Sequence, residues 1–314
     1  HKVPDYAAVD SSVNLARKFT NKKTIGFTNA VLRSLVRKKD NNPNWYEGLK
    51  YKVGWSSVPV WMEKRWLVNF GEKNLAKLIE FINQPSDTFI RCDTDSDSME
   101  KKIRLLEADG INTEVFSNNF LKILSNESKV LSSELFKNGN ISIQSPSAAA
   151  IVDCLGIDRG DVVLDVCAAP GTKTLQLANL VGVNGLVYAS DLSPDRVSFG
   201  QKDEKRHRKK NIKWSLKDAR KDAYVIADKI LIDAPCSGTG VIGRRTDIRW
   251  RRRESDLKKF ANVQLSIINN CSKYLKKGGV LVYATCSIEP EENLMVVDKF
   301  LNLNSNFIVD NIPN

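Results

Sequence analysis

DVCAAPGTKT (165–174) is the stretch whose reading decides the fold. It closes an apolar run, VVLDV (162–166), and passes through Cys167, Ala168, Ala169, Pro170 and Gly171 into a pattern that predicts a helix over 172–181. Small residues let a ligand approach the backbone, and the first turn of a helix carries amide donors that have no partner inside the helix. The same strand, turn and helix can also serve packing alone, and G-x-G-x-x-G is absent.

Downstream, LVYAS (186–190), IKWSL (212–216), KILID (229–233) and VLVYA (280–284) read as strands, alternating with helices over 195–209, 255–275 and 290–302. This alternation predicts a parallel sheet with helices on both faces, an α/β domain that binds ligands beyond the carboxyl ends of its strands. SPSAAAIVDCLG (145–156) opens the domain as a helix, with Pro146 in its first turn and Gly156 as its stop. Asp191 ends the second strand, twenty residues beyond Gly171. There a carboxylate could accept hydrogen bonds from both hydroxyls of a ribose, although DLSPDR (191–196) also permits a helix cap. Asp218 follows the third strand and Asp233 ends the fourth. Core packing does not require acids at these places.

Upstream, DYAAVDSSVNLARKF (5–19) and IGFTNAVLRSLVRK (25–38) have apolar residues at helical spacing, Phe27, Val31 and Leu35 among them. KKDNNPN (38–44), with Pro43, breaks that pattern, and helical segments resume over 58–69 and 73–83 around Gly71. TFIRC (88–92), a helix over 98–108, INTEVF (111–116), FLKIL (120–124) and ISIQ (141–144) then predict a small α+β module. The expected organisation is a partial helical domain over 1–40, a helical linker plus α+β module over 41–144, and the α/β domain over 145–314.

Lys and Arg number 48 against 37 Asp and Glu, a net charge of +11 that suits a polyanion partner. Much of the excess lies in KDEKRHRKKNIK (202–213) and RRTDIRWRRR (244–253). In the second run Arg244, Arg245, Arg249 and Arg251 offer phosphate contacts beside Trp250 as a stacking surface. A surface salt-bridge network would explain the same residues. Six cysteines, at 92, 154, 167, 236, 271 and 286, are too sparse for a disulfide framework or a zinc spacing and read as free thiols of a cytoplasmic protein. With His1 and His207 as the chain's two histidines, no metal site is expected. No run approaches the ~18 apolar residues of a membrane span, and a monomer is expected.

DAPCSGTG (233–240) and ATCSIEP (284–290) follow neighbouring predicted strands, so Cys236 and Cys286 should share the cofactor cleft. One free cysteine is often a small buried hydrophobe; two in polar strand-end loops suggest chemistry. Spacing does not say which would attack. The Pro-Cys of DAPCSG resembles the attacking cysteine of DNA cytosine methyltransferases, which favours Cys236.

DVCAAPGTKT, DAPCSGTG and TCSIEPEEN (285–293) together resemble the RNA 5-methylcytosine methyltransferase family, specifically its bacterial ribosomal branch. SVPVWMEKRW (57–66) and FIRC (89–92) resemble the segment before that family's catalytic domain. AAVDSSVNLARKF (7–19) and GFTNAVLRSLVRK (26–38) resemble part of the branch's helical, antitermination-factor-like RNA-binding domain. Departures are APGTK where a second glycine is common, Thr246 where proline is usual, and Ser145 after Gln144 where aspartate is common.

The resemblance implies a Rossmann-like class I methyltransferase domain behind an RNA-recognition-like module, with S-adenosyl-L-methionine as cofactor and a cytosine of small-subunit ribosomal RNA, rather than tRNA, as substrate. It further implies that the backbone of Cys167, Ala168, Ala169, Pro170, Gly171, Thr172 and Lys173 cradles the cofactor. Asp191 would lie on its ribose, Asp218 near its adenine and Asp233 near the reaction centre. Cys286 would be the nucleophile and Cys236 the helper in product release. The chemistry asks for such groups: cytosine C5 is a poor nucleophile until a thiolate adds at C6, and a base must later remove the C5 proton.

By the same resemblance the amino-terminal helical domain is incomplete, and NFIVD (306–310) would be the first of the final antiparallel strands. Two other readings remain: a non-catalytic RNA-binding or ribosome-assembly factor, and a nicotinamide-dependent dehydrogenase. The missing G-x-G-x-x-G argues against the latter.

Overall fold

The computed structural model describes residues 3–42, 44, 56–93 and 97–310. His1 and the helix-breaking Pro43 lie outside the described residues. The chain forms two compact units, His1–Ile79 and Glu80–Asn314.

In the first unit, helix α1 (Asp5–Phe19) packs on α2 (Lys22–Asn41) through the buried Val9 and Val13. Asn21 caps α2 by accepting the Thr24 amide, and Lys39 pairs with Asp5 at 2.7 Å. Phe27, Val31 and Leu35 are all exposed. The two expected segments at 58–69 and 73–83 form α3 (Val60–Ile82), which is interrupted where Gly71 takes φ 75°. That left-handed conformation suits glycine.

The second unit begins with a four-stranded antiparallel sheet ordered β2-β3-β1-β4: β1 (Phe89–Cys92), β2 (Thr113–Ser117), β3 (Phe120–Ile123) and β4 (Ile141–Ile143). Helices α4 (Met99–Ala108) and α5 (Glu134–Lys137) join its apolar core, in which Ile90, Leu106, Ile111, Leu121 and Ile141 are fully buried.

Helix α6 (Pro146–Asp153) leads into the larger sheet, with Ser145 capping the Ala148 amide and Pro146 in the first turn as expected. The strands β5 (Val162–Val166), β6 (Leu186–Asp191), β7 (Ile212–Leu216), β8 (Ala227–Asp233) and β9 (Leu275–Ala284) are all parallel, in the order β7-β6-β5-β8-β9. Side chains alternate between two apolar layers. Val163, Val187 and Leu231 face one layer, with α7 (Thr172–Val181); Leu164, Ile230 and Ile232 face the other, with α10 (Glu254–Cys271) and α11 (Leu294–Leu303). Burying each such side chain stabilises the fold by roughly 1.5–3 kcal/mol. Helix α8 (Pro194–Arg206) joins β6 to β7, and the short α9 (Ile248–Arg251) precedes α10. The sheet is thus the parallel α/β arrangement that the alternation predicted, and Rossmann-like as the resemblance implied.

NFIVD is the exception: residues 306–310 form no strand. Phe307 instead packs edge-on to Phe300 of α11, ring centres 5.0 Å apart, on the apolar layer beneath.

Candidate active site

The carboxyl ends of β5, β6, β8 and β9 converge on one region. After β5 the chain turns sharply, with Cys167 at φ 62° and Gly171 at φ 108°. The Ala168 amide donates to Ser190 O at 2.8 Å, and the Ala169 amide to Asp191 Oδ2 at 3.2 Å. Arg196 holds the turn from outside by pairing with Asp191 at 3.1 Å and donating to Ala169 O. Gly171 is required twice: for its positive φ, and because a Cβ there would lie 3.0 Å from the Trp214 ring. Thr172 and Lys173 form the first turn of α7.

Three acids stand at or just beyond strand ends on this side of the sheet, two of them tied to the turn or the helix after it. Asp191 is 4% exposed and accepts the Ala169 and Ser193 amides, so it holds the loop as well as ending the strand. Asp218 lies after β7, gripped by Arg220 through two side-chain hydrogen bonds of 2.8 and 2.7 Å that push its carboxyl down to about 2. Asp233 receives Lys173 Nζ on Oδ2 at 2.7 Å, which ties the end of β8 to the first turn of α7.

Asp165 belongs to this group and was missed in the sequence, although it opens DVCAAPGTKT. It is fully buried, accepts Thr174 Oγ1 at 2.6 Å on Oδ2, and its Oδ1 has no protein partner. Burial raises its carboxyl to about 7. A left-handed glycine turn, orphaned carboxylate oxygen and acid-terminated strands fit a cationic adenosine cofactor.

Cys236 and Cys286 meet, Sγ to Sγ, at 2.9 Å, and the Cys286 amide points at Cys236 Sγ at 3.3 Å. Both are free thiols. Contact with Cys286 and burial push the Cys236 thiol up, against the Cys286 amide, and the nearby Arg245 guanidinium favours a thiolate at Cys286. Cys286 is also the exposed member of the pair.

Glu292 is the second residue missed. It is completely buried and accepts the Ser237 amide at 2.8 Å, Gln264 Nε2 at 2.9 Å and Ser287 Oγ at 2.7 Å. Asn293 braces the same loop, accepting Thr285 Oγ1 and donating to the Ser287 and Glu289 carbonyls. These bonds hold residues 290–293 as a tight turn and delay α11 to Leu294, beyond the start expected for it.

The arginine run divides. Arg244 and Arg245 are exposed, as is Trp250. Arg251 is exposed and paired with Asp247 at 3.0 Å, which is the salt-bridge alternative realised at one position. Arg249 does not face solvent as expected of an RNA contact: it is 6% exposed and donates to Asn83 Oδ1 at 2.7 Å and Ile82 O at 2.6 Å. Helical phase in α9 turns it inward beside Ile248. Among the described residues, no group of three or more His, Cys, Asp or Glu could hold a metal ion, and no helix is long and apolar enough to cross a membrane.

Residues 152–313 match the family described as 16S rRNA methyltransferase RsmB/F, and residues 1–37 match the NusB family. A ribosomal RNA small subunit methyltransferase B from Proteus mirabilis is 33% identical over 96% of this chain and 71% of its own length. Its namesake from Cronobacter sakazakii is 30% identical over 96% of this chain and 70% of its own. The solved structure of PH0851 superposes with a TM-score of 0.78 at 30% identity, covering 96% of this chain and 67% of the other.

Proposed function

Because the chain belongs to the RsmB/F family of S-adenosylmethionine-dependent 16S rRNA methyltransferases, we propose that it methylates C5 of a cytosine in small-subunit ribosomal RNA, with Cys286 as covalent nucleophile. The exposure of Cys286 carries this assignment, since of the two touching sulfurs it is the one open to an entering base. On this reading residues 145–314 form the catalytic domain, 41–144 the linker and α+β module, and 1–40 the partial helical RNA-binding domain.

The loop from Cys167 to Lys173 would hold S-adenosylmethionine against its backbone, with Asp191 accepting from the ribose hydroxyls and Asp218 beside the adenine. The bound cofactor supplies a sulfonium methyl group. Cys286 Sγ adds to C6 of the cytosine, which makes C5 nucleophilic. N3 of the adduct takes up, by way of solvent, the proton of the Cys236 thiol, and Asp233, held by Lys173 at 2.7 Å, would accept the hydrogen bond of that N3–H. Cys236, left as a thiolate once its proton has gone to N3, then takes the C5 proton, the C6–sulfur bond breaks to release Cys286 as thiolate, and N3 gives its proton to solvent. Arg244, Arg245, Trp250 and Arg251 grip the RNA strand beside the cleft; Arg249 has no part in that grip.

The test is transfer of labelled methyl to unmodified small-subunit rRNA, with a tRNA pool in parallel. Label in rRNA cytosine that Cys286→Ala abolishes is the expected result. Unchanged turnover in that variant would sink the nucleophile assignment, and label confined to tRNA would sink the substrate.

A further inference from the structure

Where the arginine loop passes the start of β1, a cleft of about 370 Å³ opens between Ser86, Asp87, Thr88, Phe89, Glu127 and Arg244. Its size is in the range of small-molecule sites, ~300–1,000 Å³. Gly243 lets the loop come this near, since a Cβ there would stand 3.2 Å from Ser86 Oγ. The catalytic sequence above makes no use of this cleft.

Its lining is mixed in charge. Glu127 accepts Thr88 Oγ1 on Oε1 at 2.6 Å, a bond that orients the carboxylate and leaves it further acceptor capacity. Asp87 is ion-paired with Lys122 at 3.0 Å, and Arg244 Nη2 reaches Asp87 O at 3.4 Å. A phosphate would suit Arg244 but not a wall with two carboxylates. A base edge rich in N–H donors suits it well. Phe89 also lines the cleft, and its ring meets that of Phe116 edge-on at 4.9 Å; Phe116 is 55% exposed. Aromatic faces of this kind are what unstacked bases lie against.

The loop that lines the cleft through Gly243 and Arg244 also touches the reaction centre through Gly238 and Gly240. The Gly240 amide donates to Cys286 O at 2.9 Å, and a Cβ on Gly238 would lie 3.9 Å from Cys286 Sγ. Arg245 acts on the nucleophile while Arg244 lines the cleft. One loop thus serves both places, with Gly238 at the nucleophile and Gly243 at the opening, and an RNA strand laid along it would present a cytosine and its neighbour to the two.

We propose that the cleft holds the nucleobase next to the target cytosine, and that Glu127 selects guanine there. Among the four bases guanine alone offers two adjacent donors, N1–H and the N2 amino group, to a single carboxylate. Arg244 would meet the connecting phosphate. The proposal rests on the RNA-methyltransferase reading above and adds a sequence requirement to it.

The experiment uses the full chain and short single-stranded RNAs in which guanine, inosine or adenine stands on either side of one cytosine. Equilibrium binding and methyl transfer are measured for the wild type and for Glu127→Gln, a variant that keeps the acceptor for Thr88 and alters an exposed side chain. Guanine on one side should bind about tenfold more tightly than adenine, with inosine between them, and Glu127→Gln should erase the preference while leaving kcat at saturating RNA unchanged. Equal binding whatever the neighbour, or a guanine preference that survives in Glu127→Gln, overturns the proposal. Because binding is read separately, RNAs that bind with the guanine preference but are not methylated would count against the catalytic reading alone.

Discussion

The amide of Ser237 donates to Glu292 Oε2 at 2.8 Å, so the loop that carries Cys236 and the loop that carries Cys286 are fastened to one buried carboxylate. Gln264 and Ser287 donate to the same group. Removing it strands the Ser237 amide, whereas Gln264 keeps Pro235 O and Ser287 Oγ keeps the Ser237 and Thr239 hydroxyls. Glu292→Ala should therefore lower unfolding free energy by about 1–3 kcal/mol in urea titration, the cost of one unsatisfied buried polar group. Glu292→Gln, which retains one acceptor oxygen, should lose less. Equal stability of Glu292→Ala and wild type would show that the loops do not depend on this anchor.

The two cysteines should fail differently. Cys286→Ala should show neither turnover nor a denaturant-resistant RNA adduct. Cys236→Ala should still form the adduct and stall before its release, so that a protein–RNA band accumulates on a denaturing gel while turnover falls by at least ~10²-fold. A trapped band in Cys286→Ala and none in Cys236→Ala would exchange their roles.

Thiols 2.9 Å apart need only a small approach to reach the ~2.05 Å of a disulfide. Mild diamide should therefore remove two electrons and two protons from the pair and abolish activity, with dithiothreitol restoring it. Mass spectrometry of the peptides should find Cys236 joined to Cys286. Retained activity with the pair oxidised is incompatible with either thiol acting in catalysis.

Asp165 sets a pH dependence. Its folded carboxyl is raised to about 7 from an ordinary 3.8, because burial disfavours the charge. The unfolded chain gives up this proton first, so the stability contribution is complete below about pH 4 and is lost as pH rises through about 7. Asp165→Asn is neutral throughout and can still accept from Thr174. It should flatten the curve of unfolding free energy against pH in that window and be the more stable protein at pH 8, by about 1.4 kcal/mol for every tenfold by which burial tightens proton binding. A curve that keeps its wild-type slope would place the titration elsewhere.

Much of this was legible in the sequence, and the reasons are local. VVLDV, LVYAS and KILID are short apolar runs bounded by turns, and DVCAAPGTKT announces its tight turn through its small residues; each signal lies within ten residues. Periodicity also found the break in α3 at Gly71. Other features depend on distant chain. The predicted strand 280–284 extends back to Leu275 because Ala227 is there to pair with it. Arg249 looks like its neighbours in RRTDIRWRRR, and only the approach of Ile82 and Asn83 makes it a buried donor. Glu292 was visible as a residue of TCSIEPEEN, but its three donors come from three separate segments.

The small antiparallel sheet and the large parallel one are joined by a buried polar cluster. Arg91 of β1 donates to Asp93 at 3.0 Å, Asp93 meets His207 Nδ1 at 3.2 Å, and His207 Nε2 meets Ser142 of β4 at 3.1 Å. Gln144 Nε2 continues the chain of bonds to Gln176 of α7 at 3.2 Å. Sliding one sheet past the other would strip several of these groups of their partners at once. The cluster therefore opposes sliding between the sheet that carries Phe116 and the sheet that carries Cys286. For an RNA that engaged both sheets, local unfolding of the nucleic acid, more than movement of one sheet against the other, would bring its bases into place.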